Sequence, residues 1–303
     1  MIPLFPTFKK LEITDRKEIE GITSKFEPYS DYNFVSLFSW DTREEIRIAR
    51  LHGNLVILFS DYISEEKYFC FIGTNRVDHT IHTLIVEAAK QNLSETLRLI
   101  PEPIIKHITH PKRYVITEDR DSFDYILSVS DLVKLEGTKY HPQRNFIKRY
   151  KTAYEAATHT KLLELSDKQI QEQILGLFYL WEKSRGKSRS ETEKELHAIQ
   201  KLMNHSHLLN IKALGLFINN ELKGFAVNEI ISDRHGVAHF EKVDLSHTGI
   251  FQYLKHESAQ LFHEHGVQFM NIEQDLGIEG LRKTKLANHP VYFLKKYTIA
   301  LAK

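Results

Sequence analysis

The sequence predicts an α/β (α+β) protein of two successive halves, each a mixed, mainly antiparallel sheet flanked by helices. Three observations predict it. Short apolar runs of strand character alternate with amphipathic runs of helical period along the whole chain. The order of these runs then repeats: strand, two helices, three strands, helix, strand, helix, strand, first up to Asp119 and again from His159. Within each repeat the three consecutive strands are separated only by turn residues and form a meander, whereas the helix that follows brings the next strand in parallel.

In the first half, residues 7–13 (TFKKLEI) read as a strand, and Thr14 or Asp15 caps a helix over 15–26. A second helix over 31–42 follows the turn EPYS. The extended runs 46–52, 54–62 and 67–73 form the meander, broken at His52-Gly53 and at ISEEK. A helix over 76–92 places Ile81, Leu84, Ile85 and Ala88 on one face. A strand at 97–100, a short helix at 101–108 and an extended run at 114–119 complete the half.

The second half opens with a strand at 159–165 and helices at 168–186 and 190–209, the latter with Ser190 and Glu193 as a capping box. Strands at 212–218, 223–232 and 237–244 form its meander, and the turns NNEL and SDRHG join them. A helix over 249–265 buries Ile250, Leu254, Leu261 and Phe262, and Gly266 ends it. A strand at 268–275, a helix at 278–286 and a strand at 291–301 finish the chain. The expected domains are residues 1–136, a basic connecting helix at 137–156, and residues 157–303.

Length, 42% hydrophobic and 27% charged residues fit a globular protein of about two domains. No stretch approaches the roughly 20 apolar residues of a membrane helix. The start of the chain, broken by two prolines and lacking a basic leader, is not expected to be a signal peptide. A single cysteine, Cys70 in the apolar run YFCFIG, excludes an internal disulfide and fits the cytoplasm. With no basic neighbour it reads as a buried strand residue. Trp40 and Trp181 read as core. The paired histidines His205/His207 and His263/His265 are two apart, a spacing that does not converge on one ion in a helix, and no metal site is expected. No phosphate-binding Walker loop, dinucleotide fingerprint or nucleophile elbow is present.

The stretch 271–285, NIEQDLGIEGLRKTK, sets acids against bases. Strand alternation would place Asn271, Glu273 and Asp275 on one face, lining a water-accessible cavity, and Gly277 would turn the chain into a helix carrying Arg282, Lys283 and Lys285. The competing reading is a solvated turn with surface ion pairs. In an open sheet the ligand cleft lies where parallel neighbours diverge at their carboxyl ends. Here that is between 237–244 and 268–275, and Glu241, Asp244, Glu273 and Asp275 stand at its mouth. A second basic cluster, Lys139, Arg144, Lys148, Arg149 and Lys151, has no acid within it. It reads as a phosphate-binding face or as an exposed basic helix.

This element order resembles two GNAT-like N-acyltransferase domains in tandem. The stretches at 29–40, 123–150 and 271–297 resemble a bacterial family grouped with the C-terminal domain of phosphatidylglycerol lysyltransferases, related to the Fem aminoacyltransferases. The resemblance implies transfer of an activated acyl group from aminoacyl-tRNA to a small-molecule or lipid amine or hydroxyl acceptor. The relatives' strand end, a pattern like IDLMR, stands here as VDLSHTG. It would match their aspartate to Asp244 and place His247 where they carry arginine. An acyl-CoA enzyme of this fold would bind pyrophosphate at a glycine-rich helix start, and SHTGIF offers Gly249 but sets Phe251 against the phosphate.

The chemistry needs a base, oxyanion donors and a cation for donor phosphates. Asp244 or Glu273 is the expected base or amine holder, and Arg282, Lys283 and Lys285 are expected on phosphate or carboxylate. Tyr140, His141, Arg144 and Asn145 are expected on the opposite wall, and for Arg144 and Asn145 the alternative is to cap and staple the connecting helix. No tightly bound cofactor is expected. Aminoacyl-tRNA is the suspected donor, coenzyme A the alternative, and a non-catalytic binding module a third reading. The first half, whose helix start GTNRVDH has no phosphate-binding pattern, is expected to be scaffold.

Overall fold

The computed structural model describes residues 1–61 and 64–302. The predicted element order is present, with an additional strand and helix over 124–134 and with two strand exchanges that the sequence does not announce. In order, the chain forms β1 (Lys9–Lys10), α1 (Arg16–Thr23), α2 (Phe34–Trp40), β2 (Arg47–Leu51), β3 (Asn54–Ser60), β4 (Lys67–Ile72), α3 (Val77–Lys90), β5 (Leu97–Pro101), α4 (Glu102–Ile105) and β6 (Tyr114–Glu118). It continues through β7 (Asp124–Ser128), α5 (Val129–Lys134), α6 (His141–Tyr154), β8 (Thr158–Leu163), α7 (Lys168–Ser184), α8 (Arg189–His205), β9 (Ile211–Ile218), β10 (Glu221–Ile230) and β11 (His235–Val243). It ends in α9 (Ile250–Glu264), β12 (Phe269–Asn271), α10 (Glu279–Leu286), β13 (Tyr292–Leu294) and β14 (Lys296–Leu301).

The chain packs as two compact units, and neither is a continuous half. One comprises Met1–Tyr125, Gln274–Thr284 and Phe293–Lys303, the other Ile126–Glu273 and Lys285–Tyr292. The boundaries expected at 136 and 157 therefore differ from those of the compact units. In the first unit β1–β4 make an antiparallel sheet, and a separate three-stranded sheet has the order β5-β14-β6. Its central strand β14 is the end of the chain, antiparallel to both neighbours. Ile81, Leu84, Ile85 and Ala88 of α3 are buried against Val56, Phe69, Phe71, Ile100 and Ile299, as the helical spacing predicts.

The second unit is carried by a seven-stranded sheet in the order β13-β7-β12-β11-β10-β9-β8. β11 and β12 are parallel, as expected of the crossover through α9. Ile250 and Leu254 of α9 pack on Leu214, Leu216, Ala226 and Val243. Gly236 permits this close approach, because a Cβ there would stand 2.7 Å from Cδ1 of Phe262 on α9 and 3.0 Å from the carbonyl oxygen of Glu229.

Several local expectations change. The 7–13 run supplies only the two-residue β1, and the run expected to reach Tyr62 is described only to Ser60 within β3, with Tyr62 lying outside the described residues. The capping box of α8 is Ser188 with Glu191, two residues earlier than the expected Ser190 with Glu193. The 291–301 run divides into β13 and β14 in different sheets. Cys70 is fully buried in β4, whereas Trp40 and Trp181 are only partly buried.

Candidate active site

β11 and β12 are paired only over His235↔Phe269, Gly236↔Met270 and Val237↔Asn271. β12 then stops while β11 runs on to Val243, so the two strands part at their carboxyl ends. The register between β10 and β11 skips one residue at this level: Val227 faces Phe240, Asn228 faces Ala238, and His239 is the extra residue of a bulge. The bulge carries His239 to Glu229, since an unbroken register would set it beside Asn228.

The buried imidazole lies between two carboxylates. Nε2 is 3.2 Å from Oε2 of Glu229 and Nδ1 is 3.3 Å from Oε1 of Glu273. Burial drives the imidazole toward neutrality, but the two carboxylates reverse this and push it up to about 9. At neutral pH the ring is therefore an imidazolium that donates from both nitrogens. Glu229 is enclosed, whereas the Glu273 side chain keeps 18% of its exposure and is open to an arriving molecule.

Glu273 follows the end of β12, and its backbone is left-handed, at φ 60°. Its N–H donates to Oδ1 of Asn271 at 2.6 Å. A glutamate in that conformation, with backbone and side chain both tied, is the kind of constraint that accompanies functional groups.

The other expected site residues are placed elsewhere. Strand alternation does not continue past Asn271, so Asp275 does not share a face with Glu273. It is fully buried in the first unit, where Arg282 donates to both oxygens at 3.0 and 2.7 Å, Arg120 donates at 3.2 Å, and Tyr125 and the Gly277 N–H donate as well. Burial raises this carboxyl, but those donors hold it below the usual carboxylate range. Arg282 also bonds Asp121 at 2.6 Å, and these carboxylates raise the guanidinium further. It is a clamp on two aspartates. Lys283 makes an exposed helical pair with Glu279 at 2.7 Å. Lys285 donates to the carbonyl of Ile272.

Asp244 caps the turn after β11, accepting from the Ser246 N–H at 3.0 Å and its hydroxyl at 2.7 Å. Burial raises its carboxyl, while these bonds, with His247 and Lys223 nearby, bring it lower than usual. Five residues of strand separate it from His239, roughly 16 Å at about 3.3 Å per residue, too far to share one amine with Glu273. Glu241 faces α9, where Lys255 meets it at 2.7 Å.

Gly249 begins α9 with φ 86°. A Cβ there would collide with the carbonyl of Phe146 on α6, and Tyr150 of α6 stacks on Tyr253 of α9 at 4.6 Å. The glycine is therefore required for the close packing of α6 on α9. Tyr140 is buried with its hydroxyl 3.5 Å from Asp131. Arg144 donates to the carbonyls of Gly137, at 2.8 Å, and Leu135, the latter at the end of α5. His141 and Asn145 bond each other at 3.3 Å on exposed α6. Among the described residues no group of three or more metal-ligating side chains is arranged to hold an ion, and no helix is long and apolar enough to cross a membrane.

His239 and Glu229 were not legible as a pair, because only the bulge brings them together. Glu273 was singled out, and its setting is this pair.

These features define a class. The fold is that of tandem GNAT-like acyltransferases: a tandem GNAT protein from the clavulanic acid biosynthesis pathway matches with TM-score 0.51 at 11% identity, covering 98% of each chain. The chain belongs to the family described as phosphatidylglycerol lysyltransferase, C-terminal, which matches residues 23–300. A conserved protein of unknown function from Bacteroides thetaiotaomicron is 29% identical over 100% of both chains, with TM-score 0.86. The C-terminal domain of a putative lysylphosphatidylglycerol synthetase from Agrobacterium fabrum is 12% identical, covering 96% of this chain and 92% of that one, with TM-score 0.64. No curated protein matches the chain.

Proposed function

We propose that the protein transfers an activated acyl group from aminoacyl-tRNA to an amine or hydroxyl acceptor, with Glu273 as the base. The observation that carries this reading is Glu273 itself: a constrained, partly exposed carboxylate at the point where β12 parts from β11. The acceptor nitrogen or oxygen attacks the ester carbonyl carbon, forming the new C–N or C–O bond. The bond from that carbon to the tRNA ribose oxygen breaks. Glu273 takes the acceptor's proton and returns it to the departing ribose oxygen.

The choice of donor rests on α6. Coenzyme A in a fold of this kind needs room for pyrophosphate at the start of the crossover helix, and here Phe146 and Tyr150 pack on Gly249. The same α6 exposes Lys148, Arg149 and Lys151, a basic surface suited to nucleic-acid phosphates. Family membership supports an acyltransferase.

The test is a transfer assay with bulk tRNA charged with a mixture of radiolabelled amino acids, offered with a bacterial lipid extract and a pool of small amines, beside radiolabelled acetyl-CoA. Label leaving tRNA for an acceptor only when protein is present is the expected result. Label moving from acetyl-CoA alone would replace the donor, and no transfer from either would leave a ligand-binding module.

A further inference from the structure

Three separate devices converge on the Glu273 carboxylate: a left-handed backbone at φ 60°, the Asn271 side chain on its N–H at 2.6 Å, and the His239 ring at 3.3 Å from Oε1. The first two fix where its side chain starts, and the ring fixes where it ends. The ring is itself held from its far side by Glu229, 3.2 Å away on β10. Glu229 and His239 are both buried, so neither presents itself to an incoming acceptor.

We propose that Glu229 and His239 are positioning residues, which hold the Glu273 carboxylate in one direction at the parting of β11 and β12. This deepens, and for its catalytic meaning rests on, the reading of Glu273 as the base. With both N–H groups engaged, the ring cannot flip without losing its bonds in a buried setting, where an unmade bond is costly. Glu229 also balances the charge of the imidazolium, leaving the three groups together with one negative charge. Such a site suits a primary amine acceptor, which gives one proton to Glu273 as its nitrogen attacks.

The bulge that makes the arrangement is the second observation. Its extra residue is His239 and no other, so the local departure from regular pairing serves this contact. Bulges next to active sites commonly re-aim a side chain in this way.

The test labels the full chain with 15N-histidine and 13Cδ-glutamate and follows both by NMR from pH 6 to pH 10. The wild type is compared with Glu229→Gln and His239→Gln, and Glu273→Gln assigns the key glutamate signal. In the wild type the His239 ring should carry both protons through neutral pH, and Glu273 should give one sharp carboxyl resonance. In Glu229→Gln the His239 midpoint should fall by at least about one pH unit. In His239→Gln the Glu273 resonance should shift or broaden while the other glutamates stay in place. Should Glu229→Gln fail to fold, Glu229→Asp, which keeps the charge and shortens the reach, is read in the same way and should show a weakened His239 contact.

An unmoved His239 titration in the Glu229 variants, or an unmoved Glu273 signal in His239→Gln, overturns the proposal. In the transfer assay both variants should lose about tenfold or more in kcat with KM within about twofold, the pattern of a misaimed base. A wild type that transfers nothing would refute the base role of Glu273, while the spectra alone would still decide whether Glu229 and His239 aim it.

Discussion

Each unit contains a strand, a crossover helix and a second strand, and the two treat the gap between those strands in opposite ways. In the first unit β4 and β5 belong to separate sheets, and the buried Tyr32 hydroxyl lies within bonding distance of Phe71 O on β4, at 2.9 Å, and Leu99 O on β5, at 3.1 Å. One phenol bridges the two strands. Beside it Lys296 of β14, fully buried, meets Asp31 and, at 2.8 Å, Asp124. In the second unit the gap between β11 and β12 is edged by His239 and a carboxylate that solvent can reach. A strand gap is thus only a potential site: one is bridged by a phenol, and the other keeps a carboxylate within reach of solvent.

The sharpest way to break the comparison is at the ionic knot of the first unit. Lys296→Met leaves Asp31 and Asp124 buried without their cation and should cost about 3–5 kcal/mol in urea unfolding. A loss under about 1 kcal/mol would mean that the knot does not hold the scaffold together.

Next in size is a pH effect confined to the second unit. His239 is pushed up to about 9 in the folded chain, against an ordinary value near 6.5, so its contribution is complete below about pH 6.5 and lost as pH rises through about 9. At ~1.36 kcal/mol per unit, the contribution is on the order of 3 kcal/mol at most. Stability measured from pH 6 to pH 9.5 should therefore fall more steeply for the wild type than for His239→Gln. Parallel curves would remove the buried imidazolium from the account.

Tyr32→Phe should cost about 1–3 kcal/mol, the consequence of leaving buried carbonyls without a donor, while acyl transfer per folded molecule stays unchanged. Gly249→Ala should cost about 1–2 kcal/mol from the left-handed backbone, in addition to the displacement of α6, and should show in thermal unfolding without any ligand. If it instead left stability intact and abolished coenzyme A binding, Gly249 would be a phosphate contact after all.

Much of this was legible in the sequence, and the remainder was hidden for identifiable reasons. The repeated order of strands and helices could be read because each element carries its own period, as the buried Ile81, Leu84 and Ile85 face of α3 illustrates. The exchange of β7 and β14 could not, since strand partners are chosen by long-range pairing that no local pattern records. Glu273 stood out as an acid in an apolar strand. Asp275 looked equivalent two residues on, but the left-handed backbone at Glu273 and Leu276 ends the alternation and sends Asp275 to Arg282. His239 was one of seventeen histidines until a bulge paired it with Glu229.

Under the proposed function, Glu273 of the second unit does the chemistry and the first unit takes no part in it. The most direct test compares Glu273→Gln with Tyr32→Phe in the aminoacyl-tRNA transfer assay, each corrected for the folded fraction. Loss of a base should lower transfer by about 10²-fold or more in Glu273→Gln, with Tyr32→Phe matching the wild type. Full transfer by Glu273→Gln, or its loss in a folded Tyr32→Phe, would contradict the account.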